Sequence, residues 1–155
     1  MNARRKGVLV LDGTPRMVVA IARSLYKRGI PVVYGHFGAW AQSAGSVAVS
    51  TNVRLPDSPA DFYEHLTSAI DRENVDTLIP CSDKAIRAML PYYAPLQEHV
   101  TLSIPDPSVV ERVLDKEQAL SMAERCGMRI PKTFSIGGPD WLLEKRQELP
   151  FPLVA

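Results

Sequence analysis

Among its 155 residues the sequence holds only two cysteines, Cys81 and Cys126, both in apolar segments and without CxxC spacing. A disulfide framework or a cysteine metal cluster is therefore excluded, and buried or half-buried thiols are expected. Excess charge of either sign is also missing: 18 basic residues meet 17 acidic ones, for a formal net charge of +1. Charge thus points to no nucleic acid and no anionic membrane as a partner, and Arg4, Arg5 and Lys6 read as a short solvated tail. No apolar run approaches the roughly 20 residues of a membrane span, and the N-terminus lacks the apolar region of a signal peptide. The expected location is cytoplasmic. His36, His65 and His99 are too scattered for a ligand cluster. No Ser/His/Asp or Cys/His arrangement emerges either, so no catalytic and no metal-binding residue is assigned.

Glycine is scarce, nine residues against thirteen prolines, and the shortage decides between nucleotide loops. A GxGxxG turn beginning at Gly13 fails, because Pro15 and Val18 occupy the other two glycine places and no acid follows the second strand to hold a ribose. A nicotinamide- or sugar-nucleotide-binding domain is disfavoured accordingly. A Walker loop fails for want of a glycine-lysine pair. A receiver domain needs paired acids after the first strand, and Asp12 stands alone.

What is present is organised around Gly7 to Gly29, which reads as one strand, one turn and one helix. Val8 to Leu11 is an unbroken apolar run, the pattern of a strand buried on both faces in a parallel sheet. Asp12 and Gly13 break it. Thr14 suits an N-cap and Pro15 a first helical residue, whose missing N–H needs no partner there. Val18, Ala22, Leu25 and Tyr26 then share one face, and Gly29 suits a left-handed stop. A strand feeding a helix in this way opens a doubly wound sheet, whose ligands sit beyond the carboxyl ends of the strands. Asp12 to Arg16 are expected on the rim of that crevice.

Further strands are expected at Ile30–Tyr34, Ser46–Ser50, Thr77–Pro80 and Leu102–Ile104. Helices are expected from Ser58 to about Glu73, from Ser82 with Ile86, Met89 and Leu90 inward, and again after Asp106, with Pro91 to Pro95 ending the second. The alternation predicts an α/β, Rossmann-like parallel sheet with helices on both faces. After Ile104 the texture changes. Asp115 is expected to cap a helix with Ala119, Leu120, Met122, Ala123 and Cys126 inward and Gly127 at its end. A strand-like stretch follows at Ile130–Ile136, then a helix with Trp141, Leu142 and Leu143, and Pro150–Ala155 begins another strand. That last run breaks off inside an apolar strand, so the chain reads as a fragment of something longer.

The rim then holds Gly13, Thr14 and Arg16 from the first turn, with Ser82, Asp83 and Lys84 from the turn after Thr77–Pro80. Helix capping alone accounts for Thr14 and Ser82. Arg16, Lys84 and Lys116 are cations in first helical turns, where they oppose the dipole by roughly 0.3–1 kcal/mol unless an anion is near.

From Val113 onward the order of parts resembles the start of an ATP-grasp domain: Asp115-Lys116 opening a helix, Gly127 ending it, Ile130-Pro131, then Phe151-Pro152-Leu153-Val154. The preceding unit is similar to the pre-ATP-grasp domain of that superfamily, which includes carbamoyl-phosphate synthase large subunit, biotin carboxylase and D-alanine–D-alanine ligase. The boundaries implied are 1–113 for the Rossmann-like domain and 114–155 for the truncated start of the ATP-grasp small lobe. The resemblance implies an ATP- and Mg-dependent carboxylate–amine (or –thiol) ligase acting through an acylphosphate, with a small-molecule acid and amine as partners; a homodimer is compatible with it. It implies that Lys116 contacts ATP phosphate, and that Gly13, Thr14, Ser82 and Asp83 face the acceptor substrate. The first loop lacks the glycine-rich stretch and the glutamate of some relatives. As a fragment the chain is expected to fold without turning over ATP. The alternative reading is a stand-alone Rossmann-like module that binds a small anion or a protein partner.

Overall fold

The computed structural model describes residues 6–38, 45–133 and 138–148. The chain divides into two compact units, Met1–Asp115 and Lys116–Ala155. The first alternates strand and helix: β1 (Gly7–Leu11), α1 (Pro15–Tyr26), β2 (Val32–His36), β3 (Thr51–Arg54), α2 (Pro59–Arg72), β4 (Val75–Pro80) and α3 (Asp83–Met89). A 3₁₀ turn (Leu90–Tyr92), α4 (Tyr93–Gln97), β5 (Thr101–Leu102) and α5 (Pro107–Leu114) complete it. The five strands lie in the order β3-β2-β1-β4-β5, and every neighbouring pair is parallel. This is the Rossmann-like α/β sheet that the sequence predicts.

The period of two along β1 builds both halves of the core. Leu9 and Leu11 face one way and pack with Phe62, Leu66 and Ile70 of α2 and Met89 of α3. Val8 and Val10 face the other way and pack with Val18 and Ala22 of α1 and Val32 and Tyr34 of β2. An unbroken apolar run is thus required, because β1 has helices over both faces.

Several element ends depart from expectation, each for a local reason. β2 begins at Val32 rather than Ile30, since the Ile30 N–H donates to the Leu25 carbonyl (3.1 Å) and closes the end of α1, with Gly29 at φ 68°. Tyr26, the last residue of α1, is exposed rather than inward. The third strand is Thr51–Arg54, not Ser46–Ser50. Ser46–Ser50 instead makes a turn closed by Val49 N–H on the Ser46 carbonyl (2.9 Å), and β-branched Thr51 and Val53 take the ladder. Pro91 and Pro95 do not end the helical stretch, because each sits in a first turn that needs no N–H from it. α3 buries Ala85 and Met89, with Ile86 half-buried. β5 is Thr101–Leu102, one residue earlier than expected.

The second unit contains α6 (Lys116–Arg125) and α7 (Pro139–Lys145). No residue of α6 is buried: Ala119, Leu120 and Ala123 are half-buried, and Met122 and Cys126 are exposed. The expectation of an inward Cys126 is corrected, since the described residues of this unit lay no second layer over that stripe. Gly127, at φ 76°, ends the helix as expected. Residues 130–133 form no strand, and 134–137 lie outside the described residues, as does the strand expected at Pro150–Ala155.

Candidate functional site

In this strand order the chain leaves β1 toward β2 on one side and later continues from β4 to β5 on the other. The direction of winding reverses between β1 and β4, and a doubly wound sheet opens its ligand crevice beyond the carboxyl ends of the strands at that point. The two turns that meet there are Asp12–Thr14 and Cys81–Ser82.

The turns are tied together at backbone and side-chain level. The Cys81 N–H donates to the Leu11 carbonyl (2.8 Å), and the Asp12 N–H donates to the Gly35 carbonyl of β2 (2.7 Å). Asp12 adopts φ 54°, a left-handed conformation that aspartate tolerates better than most residues. Its Oδ2 accepts a hydrogen bond from Ser82 Oγ at 2.6 Å. Ser82 Oγ in turn accepts the Ala85 N–H (3.0 Å), capping α3. Gly13, at φ 115°, lies against Cys81. Burial, and secondarily the Asp12 carboxylate, raise the Cys81 pKa above the usual thiol value, so at neutral pH the group is a protonated thiol rather than a nucleophile.

The residues read from the sequence fall in three places. Gly13, Thr14, Ser82 and Asp83 do converge at the switch point. Thr14 caps α1 through a long contact with Met17 N–H (3.5 Å), and Asp83 is the exposed first residue of α3. Arg16 is exposed in the first turn of α1, and among the described residues its side chain makes no hydrogen bond or ion pair. Lys84 is not a free cation. It pairs with Asp57 and lies over the Phe37 ring, 4.6 Å from the centroid, so an anion is already supplied for it. Lys116 is the exposed first residue of α6, in the second unit, with no side-chain partner among the described residues.

Asp12 and Cys81 are the residues that sequence reasoning undervalues. Asp12 is expected there on the rim of the crevice but is given no role of its own, because its hydrogen-bond partner Ser82 comes from a turn far away in sequence. His36 ends β2, and its Nδ1 donates to the Gly38 carbonyl (2.8 Å), which fixes the ring locally. A cavity of about 270 Å³ lies along the carboxyl ends of β2 and β3, lined by Phe37, Arg54, Asp57 and His65 among others. A larger one of about 470 Å³, with Lys6, Asp76 and His99, lies at the amino ends of the strands, the wrong edge for a switch-point ligand. Among the described residues no group of three or more His, Cys, Asp and Glu side chains is placed to hold a metal ion, and no helix is long and apolar enough to cross a membrane.

No protein-family model matches the chain, and no curated protein matches it. Solved structures do. An L-amino acid ligase from Bacillus licheniformis superposes with a TM-score of 0.64 at 15% identity over 92% of this chain and 35% of that one. N5-carboxyaminoimidazole ribonucleotide synthetase from Thermus thermophilus gives 0.64 at 15% identity over 94% of this chain and 37% of that one. The biotin carboxylase domain dimer of Hydrogenobacter thermophilus 2-oxoglutarate carboxylase, in complex with MgADP, ADP and bicarbonate, gives 0.58 at 17% identity over 97% and 34%. The chain spans about a third of the length of the structures it matches. At such identities the likeness concerns the fold alone, and it is a likeness to about a third of each of these enzymes.

Proposed function

We propose that this chain forms the acceptor-substrate wall of an ATP-dependent carboxylate–amine (or carboxylate–thiol) ligase that works through an acylphosphate. Residues 1–113 would serve as the pre-ATP-grasp domain and 114–155 as the opening of the ATP-grasp domain. The observation that carries this reading is the meeting of two turns, Asp12–Thr14 and Cys81–Ser82, at the switch point of a sheet shared with a ligase, a synthetase and a carboxylase.

In this reading Gly13, Thr14, Ser82 and Asp83 line the acceptor side of the crevice. Arg16, solvated and without a described side-chain partner, would orient a substrate carboxylate. Lys116, exposed at the start of α6, would offer its ammonium to a nucleotide phosphate. The nucleotide supplies the phosphoryl group that activates the acid. For Mg the described residues offer no ligand set, so no step through the ion is assigned to this chain. A cytoplasmic location and a homodimeric assembly belong to the same proposal.

The test is ATP-dependent phosphate release by the complete ligase that carries this chain, given Mg and a matrix of amino acids, hydroxy acids, amines and thiols. Release that requires both an acid and a nucleophile is expected. Release that requires neither, or none across the matrix, overturns the proposal.

A further inference from the structure

β3 is an outer strand, hydrogen-bonded to β2 alone. Its Val53 packs in the core cluster that holds Phe62, Leu66, Ala69 and Ile70 of α2. Beside that inner face of α2 runs a second stripe, Glu64, Ser68 and Arg72, whose spacing of four keeps it on one side of the helix. Among the described residues no further strand lies against β3 to fill the space next to this stripe. A cavity of about 330 Å³ opens there, lined by Arg54, Glu64, His65, Ser68 and Arg72 among others. The smaller cavity along the carboxyl ends of β2 and β3 shares Arg54 and His65 with it.

The charged groups of this groove differ in what they have left to bind. Arg72 Nε is taken by the Glu73 carboxylate at 2.9 Å. His65 Nδ1 donates to the Asp61 carbonyl at 2.8 Å, which ties the ring to its own helix. The side chains of Arg54 and Glu64 are exposed, and among the described residues they make no hydrogen bond or ion pair, with each other or with a neighbour. One cavity wall thus carries an unpaired cation and an unpaired anion. A ligand with only a carboxylate would gain the Arg54 fork but bring a like charge toward Glu64. A ligand with only an ammonium group would meet the reverse conflict. A molecule that bears both groups sets each against its opposite. The volume suits a small one, because ligand pockets span roughly 300–1,000 Å³.

We propose that the groove between β3 and α2 is a binding site for a small zwitterion, which places its carboxylate on Arg54 and its ammonium group on Glu64. The groove lies at the outer edge of the sheet, with β2 between it and β1, so this inference does not rest on the ligase reading of the switch point. A free amino acid and the two ends of a short peptide share the required chemistry, and they differ in the separation of their charges.

The experiment titrates the 155-residue chain with glycine, γ-aminobutyrate and triglycine, and with acetate and methylammonium as singly charged controls. The backbone amide resonances of Arg54, Glu64 and Ser68 are followed. At least one zwitterion is expected to give saturable shifts and to bind roughly tenfold or more tighter than either control, the worth of one charge-assisted hydrogen bond. Tightest binding by glycine or γ-aminobutyrate supports a free amino acid as the source, and by triglycine a peptide. Arg54→Gln is expected to abolish the response. Glu64→Gln is expected to erase most of the zwitterion's advantage over acetate. Both positions are exposed, so the rest of the spectrum should stay dispersed in each variant. No saturable shift with any zwitterion, a control that binds as tightly as the best zwitterion, a response unchanged by Arg54→Gln, or an advantage over acetate that survives Glu64→Gln would each overturn the inference.

Discussion

A methyl group placed on Gly13 would lie 2.7 Å from the Cβ of Cys81, inside any real carbon–carbon contact. The obstacle is the stem of a side chain fixed to β4's end rather than a flexible tip, and Gly13 is also at φ 115°. Gly13→Ala therefore combines backbone strain with overpacking, and is expected to cost about 2–4 kcal/mol. A lower urea midpoint with an unchanged slope would show it. Adding Cys81→Gly should recover only part of the loss, because it removes the contact and leaves the φ.

Cys81 makes a pH prediction of definite sign. Its folded pKa is raised, by burial first and by the Asp12 charge second. Below the ordinary thiol pKa both folded and unfolded chains hold the proton, and the contribution to stability is complete. As pH rises past that value the unfolded chain ionises first, so stability falls until the folded thiol ionises as well. Urea melts through the alkaline range should show this slope, and Cys81→Ala should flatten it. Iodoacetamide labelling followed by mass spectrometry should find exposed Cys126 modified before Cys81.

The Lys84–Asp57 pair is mostly exposed on both sides, with side-chain exposures of 57% and 66%. Surface pairs of this kind contribute about 0–1 kcal/mol, and a cation over an aromatic ring at an exposed site adds about 0.5–1 kcal/mol. Lys84→Met removes both and is expected to lose about 0.5–2 kcal/mol. A double-mutant cycle with Asp57→Ala measures the pair directly, and its coupling should shrink in high salt.

Lys116→Ala should leave the melting temperature of the chain within about 1 °C, since the residue is exposed and unpaired among the described residues. Under the ligase proposal, the same substitution should remove a charge-assisted phosphate contact on the order of 1.5–3 kcal/mol. Unchanged ATP kinetics in that variant would take Lys116 out of the site.

The sheet is legible because β1 states its surroundings outright. Four consecutive apolar residues, Val8 to Leu11, have no amphipathic alternative in a chain this size, so two covered faces follow. α1 is legible from Thr14, Pro15 and Gly29, which act through local backbone chemistry. The third strand is misplaced because Ser46–Ser50 and Thr51–Arg54 are both short, and the Val49–Ser46 turn bond together with Thr51 and Val53 in the ladder decides between them. At the crevice the positions of Gly13, Thr14, Ser82 and Asp83 follow from strand order alone. The Asp12–Ser82 bond does not, because it joins residues 70 positions apart and depends on β4 lying beside β1 rather than beside β3. Lys84 is misjudged for the same reason: Asp57, its partner, arrives from a different loop.

β1 sits in the middle of the sheet, bonded to a strand on each side, while β3 and β5 each have one neighbour. Its amides should be the slowest in the first unit to exchange with deuterium, and those of the outer strands should exchange sooner through local opening. The turn that carries Asp12 and Gly13 hangs from that slowest strand. Under the acceptor-wall proposal, a substrate would meet there a surface held by the slowest strand, and any give needed to admit it would come from the periphery.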